Sequence, residues 1–126
     1  MIRITYCLHR LPEMAREDFQ TYWREVHAPL VEAASKALGI RRYIQQHTLV
    51  SEMAVALASA QTIPCGDGQD FDGIAEIWFD SEAAIAQATA TQEGRRQARV
   101  LAEDEARFID FSRSRYFFTA ANEVMV

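Results

Sequence analysis

Apolar and polar residues alternate from Ile2 to Arg10. Ile2, Ile4, Tyr6 and Leu8 fall on one side, and Arg3, Thr5, Cys7 and His9 on the other, which is the period of a β-strand. After the connector Leu11–Met14 the period changes. Phe19, Tyr22, Trp23, Val26, Leu30 and Val31 mark one face of an α-helix from about Arg16 to about Lys36. Glu17 and Asp18 suit its positive N-terminal end, but Ala15 supplies no capping side chain. Gly39 follows as a stop. Within the helix, Pro29 lacks an N–H, and its ring collides with the Glu25 carbonyl. It also disfavours helical backbone at Ala28. The helix is therefore predicted to kink or restart there. That would free carbonyls beside His27, which lies one turn after Trp23 on the apolar face.

Ile40 to Val50 reads as a second strand. One face carries Arg41, Tyr43, Gln45 and His47; the other carries Ile40, Arg42, Ile44, Gln46 and Thr48. Polarity on both faces marks an edge strand or the lining of a wet cavity. Ser51–Asp70 is a long connection: Glu52–Gln61 reads as a short helix, and 62–70 as loop. A connection of this length suits a lid, an interface element or a surface insertion. Phe71–Phe79 is the third strand. Asp80-Ser81 caps a helix from about Glu82 to Ala90, and the helical pattern resumes from about Glu93 to Arg107. Phe108–Phe111 leads into the last strand, Ser112–Thr119, followed by an extended tail, Ala120–Val126.

The order is β-α-β-β-α-β. Two right-handed crossovers sharing one four-stranded antiparallel sheet give an α+β, ferredoxin-like arrangement with its helices on one face. The bare face needs a cover. A second copy is the simplest one, so a homodimer joined sheet to sheet is expected.

Composition narrows the partners. The 126 residues suffice for one domain, spanning 1–126, and 49% hydrophobic with 25% charged residues is ordinary for a soluble domain. The net charge is −5, Lys36 is the lone lysine, and no basic run exceeds a pair. Neither nucleic acid nor an anionic membrane is an expected partner. Met1–Thr5 does not open a signal peptide, and no apolar run spans a bilayer, so a cytoplasmic home is expected. Cys7 in a strand and Cys65 in a loop imply no disulfide.

With the elements placed, the chain resembles the EthD family of dimeric α+β barrel proteins. The resemblance is carried by Asp18-Phe19-Gln20 through Trp23 to His27-Ala28-Pro29-Leu30, and by Arg41–His47. It continues through Phe71–Phe79, then Phe108-Ile109-Asp110 with Ser114-Arg115. It implies a homodimer whose two sheets close into a barrel, and a role with small molecules. The family is named after a protein associated with alkyl ether degradation by a haem monooxygenase system. Relatives of this architecture include cofactor-independent monooxygenases, lactone isomerases and polyketide cyclases or dehydratases, and fold alone does not choose among them.

Candidate chemistry centres on His27, a general acid or base near neutral pH. A lone histidine on an apolar face also fits a core residue bonded to one carbonyl. Tyr43 and His47 share a strand face, and Glu76 interrupts an otherwise apolar strand, so His27, Glu76 and His47 are the candidate catalytic residues. Glu76 equally suits a salt bridge to Arg113 or Arg115. Trp23, Tyr43, Trp78, Phe108 and Tyr116 are the candidate walls of a pocket for a flat or apolar substrate, and equally candidates for core packing. Tyr43 can donate to a carbonyl or enolate oxygen. His9, His27 and His47 lack metal-ligand spacing, and no phosphate loop or nucleophile elbow is present. A cofactor-independent enzyme, monooxygenase-like or a lyase or isomerase, is one expectation. A non-catalytic protein that binds an apolar metabolite or supports a partner oxygenase is the other. A haem-carrying form would need His27 or His47 open to iron.

Overall fold

Ile2–Leu8 (β1), Arg42–His47 (β2), Gly73–Phe79 (β3) and Arg115–Thr119 (β4) pair as one antiparallel sheet in the order β2-β3-β1-β4. They do so in a computed structural model that describes residues 1–126. Register sorts the side chains. Ile4 lies opposite Ile77, and Tyr6 opposite both Ala75 and Tyr116, so these residues share the face that meets the helices. Arg3, Thr5 and Cys7, with Ile74, Glu76, Trp78 and Phe117, stand on the other face. β2 is an edge strand, as its two-sided polarity implies.

The strands are shorter than their patterns because loop contacts take over their ends. Past β1, the Asp110 N–H donates to the His9 carbonyl, and Arg10 keeps only an isolated bridge to Ile109. Past β2, Thr48 donates from its N–H to the Asp72 carbonyl and from its hydroxyl to the Phe71 carbonyl. Ser112 lies in a 3-10 turn, Phe111–Arg113, capped by the Asp110 side chain.

One helical rod crosses from β1 to β2. It comprises α1 (Arg16–Tyr22), a single π-helical turn (Trp23–His27) and α2 (Ala28–Leu38), and it ends at Gly39, whose φ of 73° is the left-handed stop. The β2–β3 connection contains α3 (Glu52–Ser59), capped by Ser51 and burying none of its residues. Return from β3 to β4 runs through α4 (Glu82–Ala90), capped by Ser81, and α5 (Gln92–Glu105), capped by Thr91. This is the ferredoxin-like α+β arrangement with α3 added.

The core lies between sheet and helices. Ile4, Tyr6, Leu8, Ala75 and Phe79 of the sheet meet Phe19 and Trp23 of the rod and Phe108 and Ile109 beyond α5. A Cβ on Gly73 would collide with the Trp23 ring and stand 2.7 Å from the Gln46 carbonyl oxygen. Glycine at that position lets the indole lie flat on the sheet.

Candidate active site

Pro29 does not break the rod. Ala28 keeps helical backbone (φ −56°, ψ −43°), contrary to the expectation from the sequence, and its N–H reaches back five residues to the Trp23 carbonyl. One extra residue in the turn replaces the kink, which is how π-bulges arise within α-helices. The wide turn also explains why Val26 is 43% exposed despite its place in the apolar pattern, while His27 is buried. The Trp23 carbonyl further accepts from the Gln45 side chain at 3.0 Å.

Two carboxylates from the end of α5 meet His27. Its Nδ1 lies 2.8 Å from Asp104 Oδ2, while the other Asp104 oxygen accepts the Tyr22 hydroxyl at 2.6 Å. A carboxylate only accepts, so Nδ1 carries the proton and Nε2 keeps its lone pair. Nε2 faces Glu105 Oε2 at 3.7 Å, beyond hydrogen-bond range. Burial lowers the imidazole below the usual histidine value, against the opposing pull of Asp104. Burial also pushes the Glu105 carboxyl up to about 7, with the neighbouring Asp104 carboxylate adding to the rise.

His27 and Glu105 line a small cavity of about 30 Å³, between rod and sheet. Tyr6, Trp23, Tyr43 and Ile77 form much of its wall. The Tyr43 hydroxyl oxygen accepts from Trp23 Nε1–H at 3.2 Å and from Gln45 Nε2–H at 3.0 Å. Its own proton is then left to donate. Gln45 is fixed in this orientation from its other end, since its Oε1 accepts from His47 Nε2–H at 2.8 Å. Burial raises the phenols of Tyr6, Tyr43 and Tyr116, and Glu105 raises each further. A neutral base, a carboxyl poised near neutrality and a tyrosine with a free hydroxyl proton thus line one apolar cavity. That set can move protons.

Outside the cavity, across Val31, Ile40 and Tyr43, a cleft of about 530 Å³ runs between the rod and β2. No group of three His, Cys, Asp or Glu side chains is arranged to hold a metal ion. Haem does not fit the cavity as it stands: His27 Nε2 and His47 Nδ1 carry no hydrogen bond, but a space of about 30 Å³ has no room for a macrocycle.

A family model described as the EthD domain matches residues 11–112. The chain belongs to the EthD family. Solved structures agree with this fold. An ethyl tert-butyl ether d (ethd) family protein from Bacillus halodurans is 20% identical with a TM-score of 0.61, over 97% of this chain and 99% of that one. An ethd-like protein from Ralstonia eutropha is 17% identical with a TM-score of 0.58, over 94% and 89%. A dimeric protein of unknown function and ferredoxin-like fold from Bacteroides fragilis is 10% identical with a TM-score of 0.53, over 94% and 93%.

In this EthD-family chain the candidate residues read from sequence divide between the sheet faces. His27, Trp23 and Tyr43 meet at the cavity. Phe108 is fully buried beside them, its ring 5.1 Å from that of His27. His47 stacks on the outer side of Trp23 at 4.6 Å and reaches the cavity only through Gln45. Its Nδ1 is buried without a partner. Tyr116 packs edge-on against Tyr6 at 5.1 Å and is 59% exposed. Glu76 and Trp78 lie across the sheet from His27. Glu76 pairs with Arg3 at 3.4 Å, not with Arg113 or Arg115, because Arg3 is its diagonal neighbour on β1. Trp78 is held between the guanidinium groups of Arg3 and Arg42, each 5.0 Å from its ring. Asp104, Glu105 and Gln45 were not among the expected residues. The signal for the first two was their place between Leu101 and Phe108, on the helix face that the apolar residues define.

Proposed function

We propose that this EthD-family protein acts on a small apolar or aromatic metabolite in a degradative or oxidative pathway, as a homodimer and without a cofactor, with His27 as acid and base. One observation carries the proposal: Asp104 holds the Nδ1 proton, which leaves Nε2 as a buried, unprotonated base facing the cavity beside Glu105. In the proposed reaction Nε2 removes a proton from carbon next to a substrate carbonyl. The electron pair moves to the carbonyl oxygen, where the Tyr43 O–H stabilises it. Return of the proton to a different carbon gives an isomerase. Donation by protonated Glu105 to a departing hydroxyl gives a dehydratase. Reaction of the electron-rich intermediate with dioxygen gives the oxidative outcome.

The cavity as it stands has the volume of about one water, so substrate entry requires Val31, Ile40 or Tyr43 to give way toward the outer cleft. Support for the homodimer comes from the uncovered sheet face, where Ile74, Trp78 and Phe117 stand, and from the dimeric relative of the same fold.

The test is deuterium exchange in D2O, followed by NMR over a panel of cyclic ketones and enol lactones. Native mass spectrometry of the same samples reads oligomeric state and any retained ligand. Exchange that disappears in a folded His27→Gln dimer is the expected result. A retained ligand with no exchange would instead favour a binding or accessory role. A monomer would overturn the dimer.

A further inference from the structure

We propose that the outer cleft binds the anionic end of a small organic acid through Arg24, with the acid's apolar remainder directed into the inner cavity. The proposal rests on the substrate-binding role of that cavity and adds the substrate's charge and orientation.

Cleft and cavity share Val31, Ile40 and Tyr43 as a common wall, so a ligand in one abuts the other. Three arginines line the cleft: Arg24, Arg41 and Arg42. Two are already engaged. Arg41 is clamped by both oxygens of Asp80, at 2.9 to 3.2 Å. Arg42 extends over Trp78 on the far face of the sheet. Arg24 forms no ion pair and no side-chain hydrogen bond, and it sits on the wide turn three residues before His27. After burial, its charge is the next cause of the lowered His47 value, which places it within electrostatic reach of β2.

Glu32, the one carboxylate lining the cleft, lies two turns further along the rod and makes no pair with Arg24. A free guanidinium in a cleft takes carboxylate or phosphate oxygens, bidentately where geometry allows. The protein as a whole is acidic, so any attraction for anions is local to this cleft. Orientation follows from the inner residues. The Asp104 carboxylate behind His27 repels an anionic end, while the apolar wall accepts a ring or chain.

The experiment is a paired titration followed by protein-observed NMR. Benzoate and 1-naphthoate are compared with their neutral amides, and inorganic phosphate and phenyl phosphate are added as separate arms. Expected results are about tenfold tighter binding of acid over amide, weakening with salt, shifts at Tyr43 and His27, and loss of the acid preference in Arg24→Gln. Competition by inorganic phosphate alone would assign the site to phosphate esters. Amides binding as well as acids, or Arg24→Gln keeping the preference, overturns the proposal and leaves the proposed role of the cavity standing. Binding that never reaches His27 or Tyr43, or no binding by any member, overturns both.

Discussion

His27 Nδ1 and Asp104 Oδ2 lie 2.8 Å apart across 77 residues of chain. The bond joins the wide turn of the first rod to the end of α5, and it gives each partner a defined role. Asp104 has two oxygens and two donors, Tyr22 and His27, so its acceptor set is filled from two directions.

Asp104→Asn keeps the shape and changes the polarity. An amide presents one acceptor and one donor group, so Tyr22 and His27 can no longer both donate to it. With the Tyr22 bond kept, the His27 proton moves to Nε2 and the base disappears. The ring nitrogens of His27 in a 15N-labelled sample should report exchanged protonation. Urea unfolding should show a loss of about 1–3 kcal/mol. An unchanged ring pattern would remove Asp104 as the residue that sets the tautomer.

Glu105 and His27 give stability two opposite pH dependences. The Glu105 carboxyl titrates ordinarily near 4.5 and in the fold at about 7. Between those values the folded state holds a proton that the unfolded chain has released. Stability from this group therefore falls as pH rises through the window, by up to about 3 kcal/mol. The His27 value lies below the ordinary 6.5, so the unfolded chain takes up its proton first, and stability falls as pH drops below 6.5. Denaturation of Glu105→Gln from pH 4 to 8 should lose the declining limb, and His27→Gln should weaken the histidine limb, to which His9 and His47 also contribute. A Glu105→Gln profile parallel to the wild type would sink the assignment.

Tyr43 and Tyr116 should respond very differently to loss of a hydroxyl. Tyr43→Phe removes the acceptor for Trp23 Nε1–H and for one Gln45 N–H, both at partly buried sites. A loss of about 1–2 kcal/mol is expected, with the deuterium exchange proposed above largely abolished. Tyr116 is 59% exposed and its hydroxyl makes no hydrogen bond to the protein, so Tyr116→Phe should stay within about 0.5 kcal/mol of wild type. Equal effects in thermal melts would show that the hydrogen bonds at Tyr43 contribute nothing.

Gly73→Ala tests the seat of the indole. The added methyl meets the Trp23 ring and the Gln46 carbonyl at once, and Gln46 is held in the ladder between β2 and β3. Destabilisation of about 1–3 kcal/mol should accompany a red shift of Trp23 emission as its ring lifts. Wild-type stability and spectrum would show the ring free to tilt.

Much of the fold was legible because it rests on local periodicity. Alternation in β1, the polar faces of β2 and the serine cap at Ser81 all act within a few residues. Half of the site was legible for the same reason: Trp23, His27 and Tyr43 stand out on their own elements. The rest was not, because it depends on pairing between elements. Glu76 interrupts an apolar strand, but parity alone does not say which face meets the helices, and register puts it beside Thr5 on the face away from His27. Asp104 and Glu105 lie in a helix dense with charge, where two more acidic residues draw no notice until a partner helix is set against them.

The turn Trp23–His27 has a consequence for which residues can be lost. Phe19, Trp23, His27 and Val31 are buried at a constant spacing of four, whereas a regular α-helix returns to the same side every 3.6 residues. Deleting Glu25 would convert that spacing to alternating fours and threes, the ordinary pattern of an amphipathic helix. Pro29 would then meet the carbonyl four residues before it. The additional residue and the proline are therefore coupled: losing one leaves a bent rod, while losing both restores a seamless one. Such a chain is expected to keep its sheet and its core yet carry no wide turn to present the imidazole, so a change of length alone would remove this arrangement without changing the architecture.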